Sequence, residues 1–347
     1  MRIALVSTPF VSVPPKGYGG TELVVAELAI ALRDLGHEVV VYATGDSELP
    51  GIEIRSYFST AQWPPSPEID RAHARFAVHD LNQDPLPFDV VHVHSVAAAA
   101  QSHRMPAPVV ATLHHDHDPE LSGCYAPGST LVAISRAQAR RETARVSAVI
   151  HHGLNPERFQ PLPDQGYLLF LGRYDREKGV AQAIEVACDS GLPLVLAGAT
   201  HQKKFYQQDL LPLIEKHNIL DVGPVGGARK VALIARARAL LFPIQWEEPF
   251  GLVMIEALLS GVPVFANARG SVPEIIQDGL DGVICDDPSE MVAAARVSEK
   301  FFDRVAIRAR AQERWSAARM ASEYLRVYEG VAEREVTPWQ PEQLLGS

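Results

Sequence analysis

The sequence predicts an α/β protein built from two doubly wound parallel sheets. Short β-rich apolar runs alternate with stretches of helical periodicity along most of the chain, and the alternation restarts after a polar, proline-containing break in the middle. The length of 347 residues suits two domains at roughly 100–200 residues each. Strands that are apolar throughout and separated by helices belong to parallel sheets covered on both faces.

The first series opens with Ile3–Val6. Val24, Leu28, Ala31, Leu32 and Leu35 then recur at helical spacing, and Gly36 stands where a helix C-cap belongs. His37–Ala43 is the second strand, followed by runs at Ile52–Tyr57, Phe88–Val93, Val109–Leu113, Leu131–Ile134 and Ala148–Ile150. The stretch His151–Gln165 reads as a linker. The second series has strands at Tyr167–Leu171, Leu194–Ala197, Leu240–Pro243, Val262–Ala266 and Gly282–Cys285. From Glu313 onward, Ala317, Met320, Tyr324, Val327 and Tyr328 form an apolar stripe on one long helix, which must pack on something. After Gly330 the tail, Glu333–Ser347, reads as irregular.

Composition removes several classes. Hydrophobic residues are 47% and charged residues 21%, ordinary globular usage that excludes disorder, collagen and coiled coil. With 32 Lys+Arg against 42 Asp+Glu, the net charge of −10 lacks the basic surface that nucleic acid requires. No stretch approaches the roughly 18 apolar residues of a membrane span. Cys124, Cys188 and Cys285 are too few and too scattered for a disulfide framework or a cysteine zinc site. Met1–Val13 lacks the unbroken apolar core of a signal peptide, so it reads as the first strand of a cytoplasmic enzyme.

The strongest chemical signal is Pro243–Val264, PIQWEEPFGLVMIEALLSGVPV. A strand ends at Pro243, Pro249 suits a first helical turn, and Leu252 to Leu259 continue as a helix stopped by Gly261. Such a helix start beside a strand end offers free backbone N–H groups and a positive dipole end to a phosphate. Glu248 precedes the helix and Glu256 follows eight residues on, about 12 Å along a helix axis. No G-x-G-x-x-G or P-loop pattern follows any strand.

This string resembles the E-x7-E signature of glycosyltransferase family 4, whose members are retaining enzymes of the GT-B fold. Further pieces in the same order are similar to that family: Tyr18-Gly19-Gly20-Thr21-Glu22 after the first strand, Thr112-Leu113-His114 at a strand end, Gly172-Arg173 through Lys178-Gly179, and Gly270-Ser271-Val272-Pro273-Glu274. The last departs from the family turn, with serine for a second glycine. The linker His151-His152-Gly153-Leu154-Asn155 departs from the commoner Pro-Asn-Gly-Val-Asp.

The resemblance implies two Rossmann-like domains facing across a cleft. The first is 1–155 plus a C-terminal helix and tail, 313–347, that crosses back to it; the second, 156–312, binds the nucleotide sugar. It implies that Arg173 and Lys178 bind the nucleotide diphosphate, that Glu256 accepts hydrogen bonds from the ribose, and that Glu248 accepts them from the donor sugar. It also implies contacts to sugar and phosphate from the amides of Phe250, Gly251 and Leu252, and close backbone approach at Gly19 and Gly20. His114 would face the sugar as a hydrogen-bond donor or proton shuttle, and backbone around 222–230 would hold the base.

The implied reaction is metal-independent transfer of a hexose from a UDP- or GDP-type sugar to an acceptor hydroxyl, with retention. No cofactor is expected. The partners expected are that donor and an acceptor the sequence leaves open, with no nucleic acid and at most peripheral membrane contact. A sugar-nucleotide epimerase, a sugar phosphorylase, a non-catalytic nucleotide-sugar binder and a metal-dependent hydrolase remain as alternatives. The last would use His114-His115-Asp116-His117-Asp118, which resembles a metal cluster although ligands at i, i+1 and i+3 rarely converge. Arg136, Arg140, Arg141 and Arg145 fall along one predicted helix, Ser135–Val146, read as a solvated face with anionic headgroups as the alternative.

Overall fold

The computed structural model describes residues 1–125 and 128–336. Seven strands form the first sheet: β1 (Arg2–Val6), β2 (Glu38–Tyr42), β3 (Glu53–Arg55), β4 (Val90–Val93), β5 (Val109–Thr112), β6 (Thr130–Ala133) and β7 (Val146–Val149). Six form the second: β8 (Leu168–Leu171), β9 (Leu194–Ala197), β10 (Leu220–Asp221), β11 (Ala239–Phe242), β12 (Val264–Asn267) and β13 (Gly282–Cys285). Every pairing is parallel, in the orders β3-β2-β1-β4-β5-β6-β7 and β10-β9-β8-β11-β12-β13. Chain order reverses beside β1 in one sheet and beside β8 in the other. At such a switch point the loops leaving neighbouring carboxyl ends part to opposite faces and open a crevice.

Helices cover both faces, which is why strands such as β4, β5, β9 and β11 are buried along their whole length. The predicted strands are present, with ends that differ by at most two residues; Ile52–Tyr57, for example, shortens to β3. β10 has two residues, too few for a periodic signal.

The terminal helix, Ala317–Val336, packs on the first sheet's layer rather than the second. Ala317, Met320, Ala321, Tyr324 and Tyr328 are buried together with Ile3, Leu5, Val24 and Leu28. A methionine-sized side chain so buried contributes about 1.5–3 kcal/mol.

Four expectations are corrected. The long helix from Glu313 is two, Arg304–Arg314 and Ala317–Val336. Between them the backbone turns to pair with Leu154, whose N–H donates to the Trp315 carbonyl and whose carbonyl accepts from the Ala317 N–H, both at 2.9 Å. The tail read as irregular is helical to Val336; residues 337–347 lie outside the described residues. The middle stretch read as a polar linker is packed where the chain crosses, with Leu154 fully buried and no room for a side chain at Gly153, where a Cβ would meet the Ser316 carbonyl at 2.2 Å. The arginine helix stops at Arg141, so Arg145 lies beyond it, and Arg141 pairs with Asp116 at 2.9 Å.

Candidate active site

The loop leaving β8 is set by one contact. A short 3-10 turn, Arg176–Lys178, ends at Gly179 with φ +74°, and a Cβ there would fall 1.8 Å from the Pro243 carbonyl oxygen. Only glycine permits both the left-handed backbone and that approach. The turn therefore lies on the chain leaving β11, and the Gln245 N–H donates to the Glu177 carbonyl at 2.7 Å. Lys178 is thereby carried to Glu248: its Nζ lies 2.5 Å from Oε2 and 4.7 Å from the centre of the Trp246 ring. The Trp246 indole N–H donates to the same Oε2 at 2.8 Å. Arg173 lies 3.3 Å from Asp175 and 3.4 Å from Glu177.

The helix Leu252–Leu259 starts at Gly251, φ +80°, with no side chain capping it. Pro249 thus precedes the helix instead of lying in its first turn. The loop after β12 secures this start. The Gly270 N–H donates to Glu247 Oε2 at 2.8 Å, the Ser271 N–H to the Glu248 carbonyl at 3.0 Å, and the Ser271 hydroxyl to the Phe250 carbonyl at 2.7 Å. The serine that departs from the family turn thus supplies a bond glycine lacks. Glu274, in the same loop, reaches the first sheet's side: it accepts the Arg136 and Ala137 N–H groups at 2.8 and 2.7 Å and lies 2.9 Å from His151 Nε2.

The loop leaving β1 meets this surface. Gly20 opens the helix Gly20–Asp34, and a Cβ on it would touch Leu252 Cδ1 at 3.6 Å. At Gly19 a Cβ would crowd Glu22 at 2.9 Å and Pro15 at 3.0 Å. Exposed Tyr18 lies within electrostatic range of Arg173, Glu248 and Asp175. At Gly226 a Cβ would approach Gly17 Cα at 3.1 Å, so the two halves also meet there.

His114 is half-buried and joins a file of imidazoles whose other members, His92, His94 and His152, are buried. Its Nε2 lies 2.8 Å from His94 Nδ1, and its ring stacks on His152 with centres 5.3 Å apart. His152 meets Phe250 edge-on at 4.8 Å. At the other end His92 bonds Tyr328 and Thr112 at 2.6 and 2.7 Å, and Thr112 bonds Tyr324 at 2.7 Å. Burial penalises the imidazolium throughout: it drives His114 down to about 3 and His92, His94 and His152 well below their ordinary range. His114 is therefore a neutral imidazole at working pH.

The structure brings Lys178, Glu248 and the Phe250–Leu252 helix start together, sets Gly20 opposite Leu252, and puts His114 two rings from Phe250. Glu256, within the same helix, is 3% exposed, and its carboxylate pairs with Lys230 at 2.5 Å. Arg173 and Lys178 do not form an open basic clamp, because carboxylates hold both. Sequence reasoning quoted the stretches that hold Tyr18, His152, Lys230 and Trp246 but gave their side chains no role, because a side chain's partner shows only once the fold supplies its neighbour. The side chains of the 114–118 run diverge, His114 to His94, His115 to Tyr125, and His117 toward Glu142 at 3.6 Å. Among the described residues no group of three or more His, Cys, Asp or Glu is placed to hold a metal, and no helix is long and apolar enough to cross a membrane.

Two doubly wound Rossmann-like domains, with a capless helix start at the second one's switch point, are the architecture of the GT-B fold. The model of "Glycosyl transferases group 1" matches residues 155–316, and that of "Glycosyltransferase Family 4" matches residues 18–158. The phosphatidyl-myo-inositol mannosyltransferase of Mycobacterium leprae is 28% identical over 96% of this chain and 97% of its own. A 41.2 kDa protein of the Klebsiella pneumoniae cps region is 32% identical, over 46% of this chain and 45% of that one. Among solved structures, AviGT4, a glycosyltransferase involved in avilamycin A biosynthesis, superposes with a TM-score of 0.79 at 26% identity, over 98% of this chain and 100% of that one. HepE of Anabaena gives 0.75 at 17% identity, over 95% and 99%, a likeness of fold alone. The chain belongs to the GT-B glycosyltransferases of the family 4 type.

Proposed function

We propose that this glycosyltransferase moves a hexose from a UDP- or GDP-type sugar to an acceptor hydroxyl, with retention and without a metal. The observation that carries the reading is the meeting of Lys178, Glu248 and the uncapped amides of Leu252–Leu259 at one switch point. HepE, of like fold, has been crystallised with UDP and glucose. In this reading the diphosphate sits at the helix start, where dipole and amides favour an anion. Lys178 exchanges part of its contact with Glu248 for a phosphate oxygen, and Arg173 does the same with Glu177. Glu248 is then free to accept a sugar hydroxyl, while Glu256, held by Lys230, accepts from the ribose.

The chemistry is a same-face exchange. The anomeric C–O bond to the β-phosphate breaks and its electron pair leaves with the nucleotide diphosphate. The acceptor oxygen bonds to the anomeric carbon, and its proton passes to the departing phosphate oxygen. The protein's part is electrostatic: charge growing on the phosphate meets Lys178, Arg173 and the amides near Gly251. Neutral His114 offers the sugar a hydrogen bond rather than a charge.

The test is a panel of UDP- and GDP-sugars measured by thermal stabilisation, since a ligand at 100 times its dissociation constant stabilises by about 2.7 kcal/mol. One donor should stand out and be turned over in chelator, with product configuration matching the donor's by NMR. Inversion, or activity abolished by chelator and restored by metal, would overturn the reading.

A further inference from the structure

We infer that the cavity at the first sheet's switch point is an acceptor subsite for a single uncharged polyhydroxylated ring. This rests on the transfer reading above, and it names the class of acceptor. The cavity, about 250 Å³, lies where β1, β4 and β5 end. It falls below the roughly 300–1,000 Å³ of sites for drug-sized ligands, and so suits one monosaccharide or cyclitol ring.

Two buried polar atoms on its lining residues have no partner. His94 is 5% exposed; its Nδ1 is taken by His114, and its Nε2 bonds nothing. Asp70, in the first turn of the helix Pro67–Gln83, takes the Ala97 N–H at 3.3 Å on Oδ2 and has the Ser95 hydroxyl nearby, while its Oδ1 bonds nothing. A buried acceptor or donor left unmade costs about 1–3 kcal/mol, so such atoms mark where a ligand's groups belong. A carboxylate oxygen calls for a donor, and an imidazole nitrogen serves a hydroxyl as donor or acceptor according to its tautomer. Thr21 adds a hydroxyl and Thr8, whose own proton goes to Glu22, an acceptor oxygen, while Phe10 and Ala99 give an apolar face for ring C–H groups.

Charge selects the class. No lysine or arginine is among the described residues that line the cavity, and Asp70 contributes a carboxylate. A phosphate there would find no cation and one like charge. The cavity is also placed for transfer, because His114 forms part of its wall and is joined through His152 to Phe250 at the proposed donor helix. Neither Asp70 nor His94 lies in a motif.

The experiment is calorimetry on the full chain, with and without saturating UDP, using glucose, mannose, galactose and myo-inositol against their monophosphates. At least one neutral ring should bind saturably, its phosphate at least tenfold more weakly. Asp70→Asn should weaken the ring at least tenfold, and Ala99→Leu, which fills the cavity, should abolish its binding. UDP affinity serves as the control for folding. Equal or tighter binding of the phosphates, an unchanged affinity in both variants, or no binding by any neutral ring overturns the inference. Failure of UDP and GDP to bind, with ring binding intact, instead removes the donor reading and with it the acceptor role, and leaves the cavity as a neutral-ring site alone.

Discussion

The ammonium of Lys178 and the carboxylate of Glu248 lie 2.5 Å apart, each side chain about one-eighth exposed, and the Trp246 indole donates to the same carboxylate oxygen. The cation is thus paired with the carboxylate that the proposed function assigns to the donor sugar. Removing either partner slows transfer, but the two removals change diphosphate binding in opposite directions. Glu248→Gln frees the ammonium and should tighten the bare nucleotide diphosphate several-fold while slowing transfer by about 10²-fold. Lys178→Ala should weaken the diphosphate and lower turnover by about 10²–10³-fold, the range found when one stabilising donor is deleted from a charge-developing site. Calorimetry and steady-state kinetics on both variants check this; loss of diphosphate affinity in Glu248→Gln contradicts the exchange.

Much of this was legible in the sequence. The strands announced themselves because β-branched and leucine runs recur at regular intervals, and the Pro243–Val264 string carries its turn, helix and glycine stop in contiguous residues. What stayed hidden depends on contacts distant in sequence. Trp315 breaks a helical periodicity that reads as continuous, because Leu154, 161 positions earlier, claims its carbonyl. Lys230 is a lone cation until Glu256 is placed beside it. The His114 run looks like a metal cluster because sequence shows proximity along the chain but not direction in space.

The imidazole file predicts acid sensitivity. His92, His94, His114 and His152 have folded values depressed by burial below the ordinary 6.5, so the unfolded chain binds protons that the native state refuses. Their contribution is fully present above about pH 6.5 and is lost as the pH falls, at about 1.4 kcal/mol per pH unit for each proton. Denaturant unfolding between pH 8 and 5 should show stability flat above 7 and falling steeply below 6.5, with a slope of several protons. His152→Gln should remove about one proton from that slope. A flat profile from 7 to 5 would show that the file is not neutral in the native state.

Glu274 behaves in the other sense. Burial acts to raise its carboxyl, but His151 and the Arg136 and Ala137 amides outweigh this and hold it below its usual value. A depressed carboxyl stabilises above its unfolded value, near 4.5, and loses that contribution as the pH falls through the folded one. Because it ties the loop after β12 to the helix Arg136–Arg141, Glu274→Ala should cost about 1–3 kcal/mol at pH 7. The difference from wild type should narrow below pH 4.5. Equal melting curves at pH 7 would show that the brace contributes nothing.

Gly179 and Gly191 share a left-handed backbone, φ +74° and +73°, but differ in what surrounds them. A Cβ at Gly191 meets nothing within 4 Å, so Gly191→Ala should cost only the conformational penalty, about 1–2 kcal/mol, and leave nucleotide affinity intact. At Gly179 the same methyl falls 1.8 Å from the Pro243 carbonyl oxygen, so the turn must lift from the chain leaving β11. Lys178, one residue before, is then drawn from Glu248 and from the helix start. Gly179→Ala should therefore weaken nucleotide diphosphate binding at least tenfold, beyond any loss of melting temperature it shares with Gly191→Ala. Paired thermal and calorimetric measurements separate the two effects. Matching nucleotide affinities in the two variants would show that Lys178's position does not depend on this packed turn, and that donor binding is organised elsewhere in the crevice.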